Sequence, residues 1–229
     1  MKNLCIIPAR GGSKRIPKKN IKTFYGKPII SYSINTAKKS NIFDEIMVST
    51  DYKEIAEISQ KHGAIVPFYR SKNNADDQSD IADVVLEVIN EYKKRKRKFD
   101  TVCLLLPTAP LIKMTNLNIA LKRLKKENCD CVITTAEYSF PIQRSLKIEN
   151  GYLTMNWPEN MFKRSQDLIK TYHDAGQFYF FKTEEFLRQK RLYMEKTAPI
   201  ILSNLEVQDI DTETDWKLAE MKYKLLYNK

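Results

Sequence analysis

Residues 4–9 read LCIIPA and residues 10–20 read RGGSKRIPKKN. A short apolar run that ends in a glycine pair, a hydroxyl and several cations predicts a strand followed by a phosphate-binding loop. Glycines let the main chain approach phosphate oxygens, and backbone amides can donate to them. Arg10, Arg15 and Lys19 would neutralise a triphosphate, Arg through forked hydrogen bonds and Lys as a point charge.

The loop differs from the two best-known phosphate-binding motifs. It lacks the G-x-x-x-x-G-K-[ST] spacing of a P-loop and the three glycines of the G-x-G-x-x-G dinucleotide fingerprint. An ordinary basic loop after a first strand therefore stays open as the alternative interpretation.

Strand-like and helix-like segments alternate along most of the chain. Strands are predicted at residues 4–9, 46–50, 64–68, 102–106, 131–135, 177–181 and 199–202, and helices at 29–39, 53–62, 81–92, 117–126, 184–188 and 216–226. Continuous apolar strands separated by helices are typical of a parallel sheet covered on both faces. The pattern predicts a doubly wound α/β fold with a mostly parallel sheet. The segments 10–19, Asp51 and 107–110 would then meet at the carboxyl edge, where such sheets bind ligands.

The alternation breaks between residues 138 and 174. Residues 145–148 and 152–157 flank Asn150-Gly151, a pair that favours a type I′ turn, so we predict a hairpin. A hairpin this rich in aromatic residues needs a surface to cover it, either the sheet or a partner. With no repeat or low-complexity linker, we expect a single domain over residues 1–229 with one excursion.

Composition indicates a packed globular protein. The chain has 229 residues, of which 42% are hydrophobic, and no apolar stretch approaches the ~18 residues of a membrane span. With no secretory leader pattern either, we expect a soluble, cytoplasmic protein without membrane contact. The four cysteines lie in or beside apolar runs without C-x-x-C spacing, which favours buried, reduced thiols over a metal site or disulfides.

The net charge of +11 raises the question of nucleic-acid binding. The densest basic run, residues 93–98, follows a predicted helix, where cations are favoured by the helix dipole and are commonly just solvated. No aromatic residues interleave with it and no DNA-reading motif is present. We therefore expect a solvated face and no nucleic-acid partner.

A second group of chemically active residues is VQDID at residues 207–211. In an extended segment Asp209 and Asp211 point to the same side, and beside a basic phosphate loop they would hold Mg²⁺ against a triphosphate. The alternative is helix capping, because Thr212 and Asp215 form a capping box before the last helix. Both interpretations hold together if Thr212 and Asp215 cap the helix and leave the other two carboxylates free.

A third group contains His173 and Asp174. Adjacent residues rarely face each other, so a polar loop is the better interpretation than a catalytic pair. Arg144 and Arg164 are better candidates for a substrate role, because Arg binds a carboxylate through two hydrogen bonds.

Taken together, these stretches resemble the CMP-sialic acid synthetase family of cytidylyltransferases over nearly the whole chain. The matching segments are IPARGGSKR with Lys19-Asn20, VSTD at 48–51, PTAPL at 107–111, RSQDL at 164–168 and VQDIDT at 207–212. Residues 140–145, 157–160 and 172–179 resemble the pseudaminic acid branch more than the sialic acid branch. One departure is Leu106, where sialic acid enzymes commonly carry a Gln before Pro-Thr-x-Pro, so a sugar contact made by that Gln is absent or supplied elsewhere.

The resemblance implies a Rossmann-like nucleotidyltransferase fold and a reaction in which CTP and an acidic nine-carbon sugar give the CMP-sugar and pyrophosphate. Pseudaminic acid is the expected sugar, with legionaminic or N-acetylneuraminic acid as alternatives. By the same resemblance, the CTP-binding residues would be Ala9, Arg10, Gly12, Ser13, Asn20, Arg70, Asp77 and Ser79.

The family resemblance also implies the remaining roles. Arg10, Lys19, Asp209 and Asp211 would be catalytic, and the two aspartates would bind Mg²⁺. Segment 138–170 would be a dimerisation arm that reaches the active site of a second subunit. The sugar-binding residues would be Gln143, Arg144, Arg164, Gln166, His173 and Asp174.

Overall fold

The computed structural model describes residues 1–75 and 80–227. The strands are β1 Asn3–Pro8, β2 Thr23–Phe24, β3 Lys27–Pro28, β4 Glu45–Ser49, β5 Thr101–Leu105, β6 Cys131–Glu137, β7 Leu146–Glu149, β8 Tyr152–Met155, β9 Tyr172–Lys182 and β10 Thr197–Leu202. The helices are α1 Ile30–Ser40, α2 Lys53–Lys61, α3 Ile81–Lys94, α4 Met114–Lys126, α5 Thr183–Gln189 and α6 Glu213–Tyr227. The predicted helices are therefore confirmed, with ends that differ by a few residues.

Six strands form one sheet in the order β10-β6-β9-β5-β1-β4. β1 pairs in parallel with β4 and β5, and β10 pairs in parallel with β6, whereas β9 runs antiparallel between β5 and β6. The prediction of an α/β fold with a mostly parallel sheet is confirmed. The carboxyl ends of β1, β4 and β5 lie at one edge, as the site prediction requires.

Helices cover both faces of the sheet, so alternate side chains of a strand enter two different hydrophobic cores. Cys5 and Ile7 of β1 pack into a cluster with α1, α2 and α4 residues such as Ile34. Leu4 and Ile6 pack into a second cluster with residues of α3 and α5. This two-sided burial explains why the strands are continuously apolar. All four cysteines are buried and free.

The predicted strand at residues 64–68 is wrong. Only Ile65 pairs with β4: its amide donates to the carbonyl of Ile46, and its carbonyl accepts from the amide of Val48. The next amide that would face β4 is that of residue 67, which is proline and has no N–H to donate. The pairing ends there, and β4 remains the last full strand.

The predicted hairpin is confirmed as β7 and β8, joined by Asn150 and Gly151, which both have positive φ angles.

The capping box predicted before the last helix is confirmed as well. The amide of Thr212 donates to Oδ2 of Asp215 at 2.8 Å, and the amide of Asp215 donates to Oγ1 of Thr212 at 3.2 Å. In the part of the chain that the structure describes, no helix has the length and apolar character needed to cross a bilayer.

Candidate active site

The basic loop after β1 borders a cavity of about 280 Å³ at the carboxyl edge of the sheet. Six of the residues predicted to bind a nucleotide or to neutralise its phosphates line it, which are Arg10, Ser13, Arg15, Lys19, Asn20 and Arg70. Ala9 is buried beneath the loop, where its amide donates to the carbonyl of Ser49. Gly12 is exposed and is not among the lining residues. Asp77 and Ser79 lie outside the described residues.

Internal hydrogen bonds fix the conformation of this loop. The amide of Gly11 donates to Oδ1 of Asp51 at 2.9 Å, and Nδ2 of Asn20 donates to the carbonyl of Arg10 at 2.9 Å. A Cβ at Gly11 would lie 3.0 Å from side-chain atoms of Tyr52, so a larger residue there would displace that ring. Because Asp51 accepts from the Gly11 amide, this amide is not available to a ligand in the cavity.

Arg70 forms a buried cationic wall of the cavity. Its Nη2 donates to the carbonyl of Ser49 at 2.6 Å, and its Nε donates to Oγ of the same residue at 3.1 Å. Burial lowers the pKa of Arg70 to about 10, so the guanidinium stays charged at neutral pH. The carbonyl and hydroxyl thus hold a partly desolvated cation beside the space where a nucleotide would lie.

Asp211 pairs with two cations of the same loop. Arg15 Nη1 lies 2.6 Å from its Oδ2, and Lys19 Nζ lies 3.3 Å from its Oδ1. Lys19 also donates to the carbonyl of Ile210 at 2.6 Å. The segment before α6 is therefore attached to the basic loop after β1, and the two predicted groups of active residues lie together.

Asp209 has a different environment. It is exposed, it lines a second cavity of about 570 Å³, and no hydrogen bond or ion pair engages its carboxylate within residues 1–75 and 80–227. Ile210 between the two aspartates is buried, as alternation in an extended segment requires. The described residues contain no cluster of three or more His, Cys, Asp or Glu side chains suited to a metal. One or two carboxylates together with triphosphate oxygens nevertheless fit the usual coordination of Mg²⁺.

Leu106 lines both cavities and so lies between them. Its amide donates to the carbonyl of Gln177 at 2.9 Å, and its carbonyl accepts from the hydroxyl of Ser33 at 2.8 Å. The apolar side chain of Leu106 thus separates the first cavity, which is lined by cations, from the second, which is lined by acidic, basic and apolar residues. The arrangement can hold two different ligands side by side.

Asp174 lines the second cavity, and two tyrosines that the sequence analysis missed hold it in place. Its Oδ2 accepts from the hydroxyl of Tyr179 and from that of Tyr193 at 2.8 Å, while its Oδ1 accepts from the amide of Gly176 at 2.8 Å. Burial and these bonds raise the pKa of both tyrosines, so the hydroxyls remain donors. Tyr193 lies in the segment after α5, and no local pattern links it to Asp174.

His173 also lines the second cavity. The interpretation of a polar loop is wrong, because His173 and Asp174 lie in β9 and pair with β6. The two adjacent side chains do not contact each other through a hydrogen bond or an ion pair, as expected. The Nδ1 of His173 lies 2.8 Å from the backbone carbonyl of Asp174, and its ring packs edge-on against Tyr138. The ring is therefore positioned by the backbone and by an aromatic neighbour.

The other predicted sugar-binding residues lie on the arm and are not among the residues lining either cavity. Arg164 pairs with Asp167 at 2.8 Å, and Gln143 Nε2 donates to the carbonyl of Ile169 at 2.8 Å. Arg144 Nη1 lies 3.4 Å from Oγ of Ser165, and Gln166 is exposed. These side chains could meet a sugar only at the site of another subunit or after the arm moves.

The basic run at residues 93–98 lies at the carboxyl end of α3 and just beyond it. Lys94 and Arg95 pair with Glu91, and Arg97 pairs with Glu45 and lies over the rings of Tyr92 and Phe99. Part of the run is therefore used in packing and in ion pairs at this end of the helix.

Comparisons with known proteins agree with this geometry. The family model for cytidylyltransferases matches residues 4–228. A pseudaminic acid cytidylyltransferase of Campylobacter jejuni is 42% identical over 226 residues, which are 98% of this chain and 97% of that protein. A CMP-N,N'-diacetyllegionaminic acid synthase of Legionella pneumophila is 34% identical over 98% of this chain and 97% of its own length. A solved CMP:2-keto-3-deoxy-manno-octonic acid synthetase complexed with CTP has the same fold, with a TM-score of 0.70 at 17% identity over the full length of both chains.

Proposed function

The chain belongs to the cytidylyltransferase family, and we propose that it transfers CMP from CTP to pseudaminic acid and releases pyrophosphate. The observation that carries the proposal is the pair of adjoining cavities at one sheet edge. One is lined by cations, and the other contains Asp209. The higher identity to the pseudaminic acid enzyme than to the legionaminic acid enzyme favours that sugar. Legionaminic and N-acetylneuraminic acid are the alternatives.

The first cavity would hold CTP. Arg10, Lys19 and Arg70 supply positive charge to the triphosphate, and Ser13 and Asn20 offer polar groups beside it. Ala9 and Gly12 would contribute backbone groups of this loop to the binding of CTP. Asp77 and Ser79 would border the cytidine. The reaction would occur in the cytoplasm, where CTP is available.

Asp209 and Asp211 would hold Mg²⁺, which when bound would help to neutralise the triphosphate and the leaving pyrophosphate. In the free protein Asp211 is already paired with Arg15 and Lys19. Phosphate oxygens compete for these same two cations. Binding of CTP would therefore free the Asp211 carboxylate to bind Mg²⁺.

In the reaction, the anomeric hydroxyl of the sugar would attack the α-phosphate in line while pyrophosphate leaves on the opposite side. Arg10 and Lys19 would stabilise the negative charge that builds up on the leaving oxygens. The Asp209 side chain is accessible, and no hydrogen bond engages its carboxylate among the described residues, so it can accept the proton of the attacking hydroxyl. Catalysis would thus rest on positioning and charge.

The second cavity would hold the sugar, with His173 and Asp174 contributed by the same chain. We propose that the protein is a single domain that forms a homodimer through segment 138–170. In the dimer, Gln143, Arg144, Arg164 and Gln166 would reach the partner's sugar. Support comes from the arm's large apolar side chains, which are exposed in one chain and need a covering surface. They include Phe140, Ile148, Tyr152, Leu153, Phe162 and Ile169.

Replacing Phe162 with Asp is expected to convert the dimer to a monomer. Phe162 is 94% exposed in the single chain, so the change should not disturb the fold. In a dimer it would place an unpaired charge in an apolar interface, which is strongly unfavourable. Sedimentation velocity gives the mass. Tyr69→Asp, at an exposed aromatic outside the arm, is the control and should stay dimeric; a Phe162→Asp protein that also remains a dimer would refute the arm interface.

Incubation with CTP, Mg²⁺ and each of the three sugar acids should release pyrophosphate fastest with pseudaminic acid. Faster release with legionaminic or N-acetylneuraminic acid would reassign the substrate. Binding of CTP with no sugar consumed would indicate a regulator that has lost catalysis. Tight, salt-sensitive binding to duplex DNA without nucleotide turnover would instead favour a nucleic-acid-binding role for residues 93–98.

A further inference from the structure

The second cavity contains a lysine that the sequence analysis did not single out. Lys222 of α6 lines this cavity together with His173, Asp174 and Asp209. Its Nζ donates to the carbonyl of Val207 at 2.5 Å. Among the described residues, no carboxylate lies within ion-pair distance of this ammonium group.

The environment of Lys222 leaves its charge uncompensated. The side chain is partly buried, and this burial lowers its pKa. An ammonium group has three donors, and the Val207 carbonyl takes one of them. A partly desolvated charge without an opposite partner is costly, so an anion that enters the cavity gains by pairing with it.

The two carboxylates that line the same cavity, those of Asp174 and Asp209, do not form an ion pair with Lys222. Asp174 accepts hydrogen bonds from Tyr179, Tyr193 and Gly176. Asp209 makes no ion pair within residues 1–75 and 80–227. Among the described residues that line it, the cavity therefore combines one lysine with two carboxylates, polar groups and the apolar Leu106. The ammonium group suits the carboxylate of a small polyhydroxy acid, and the other polar groups suit its hydroxyls.

We propose that Lys222 binds the carboxylate of the sugar acid and so selects an acidic acceptor for the second cavity. The inference rests on the proposed function. The triphosphate is the less suitable anion, because Arg10, Lys19 and Arg70 line the first cavity and Lys222 is not among its lining residues. A carboxylate has about four lone-pair sites, so Lys222 can share it with a guanidinium from a partner's arm.

The test compares Lys222→Met with Lys224→Met, an exposed lysine two positions further along the same helix. Binding is measured by isothermal titration calorimetry without CTP, so that no turnover occurs. The probes are pseudaminic acid and its carboxamide, which keeps the shape but loses the charge. We expect Lys222→Met to weaken binding of the acid by about 10- to 100-fold, as for loss of a charge-assisted hydrogen bond. The carboxamide should bind both proteins equally, and Lys224→Met should match the unmodified protein.

Several outcomes would overturn the inference. Equal losses for the acid and the carboxamide would mean that Lys222 only supports the Val207 backbone. An increase in the KM for CTP with unchanged binding of the acid would assign Lys222 to phosphate. Unchanged binding of both probes would remove it from the site. Lys222→Arg, which keeps the charge, should retain most of the affinity for the acid.

The proposed function can fail separately. If the unmodified protein releases no pyrophosphate with any sugar acid, the proposed reaction is wrong, but the calorimetry still decides the inference. Charge-dependent binding through Lys222 would support a carboxylate site. Absence of binding by the unmodified protein would refute it.

Discussion

Replacing Asp209 with Asn is expected to lower turnover of CTP and pseudaminic acid by about 10²- to 10⁴-fold, the range for loss of a general acid–base group. The carboxylate is exposed at the second cavity and supports no hydrogen bond among the described residues, so the fold should not depend on it. Asn keeps the shape but can neither accept the proton nor contribute negative charge to a cation. Pyrophosphate release measures the effect, and thermal unfolding checks the fold.

Glu213→Gln is the matched control for this prediction. Glu213 lies at the start of α6 and pairs with Lys22 on the surface at 2.6 Å. Removing an exposed pair changes little, so turnover should stay close to that of the unmodified protein. Near-normal turnover by Asp209→Asn would contradict both the base and the metal assignment of Asp209, and Asp211 would then be the carboxylate to test.

The sheet could be predicted because burial leaves a direct trace in the sequence. β1 and β5 are buried on both faces and contain continuous apolar runs, and these runs predict the two strands. Residues 64–68 contain a similar run, yet Pro67 prevents a full strand there. Ile65 and Pro67 are exposed, so this run is neither paired nor buried as β1 and β5 are. The burial of a segment and the pairing of its amides both depend on neighbours that the apolar pattern does not identify.

Two kinds of pattern predicted parts of the site. The alternation of strands and helices brought the loop at 10–19 and Asp51 to one sheet edge, where Gly11 and Asp51 are in contact, and local patterns predicted residues that are close in sequence. The alternation of Asp209, Ile210 and Asp211 predicted two carboxylates on one side, and the structure buries the residue between them. The contact of Asp211 with Arg15 spans 196 positions. Lys222 lines the second cavity from α6, whose other lysines, Lys217 and Lys224, are exposed. Such contacts arise from the packing of α6 and have no local signature.

That packing depends on an aromatic cluster, and replacing Phe24 with Ala is expected to destabilise the protein by about 3–5 kcal/mol. Phe24 is 0% exposed, and its ring makes edge contacts with Tyr32, Trp216 and Tyr223 at centroid distances of 5.3–5.7 Å. The truncation leaves a cavity where β2 and α1 meet α6. Urea denaturation measures the loss of unfolding free energy. The melting temperature should fall by roughly 2–4 °C for each kcal/mol lost.

Tyr69→Ala removes a comparable ring from the surface, where the side chain is 56% exposed, and should change the unfolding free energy by less than about 1 kcal/mol. Because α6 carries Lys222 and directly follows Asp209 and Asp211, the Phe24→Ala protein should also bind the sugar acid less tightly at temperatures where it remains folded. If it is as stable as Tyr69→Ala, the cluster does not hold α6 in place. The orientation of the carboxylates and of Lys222 would then have to come from the ion pairs that Asp211 makes with Arg15 and Lys19.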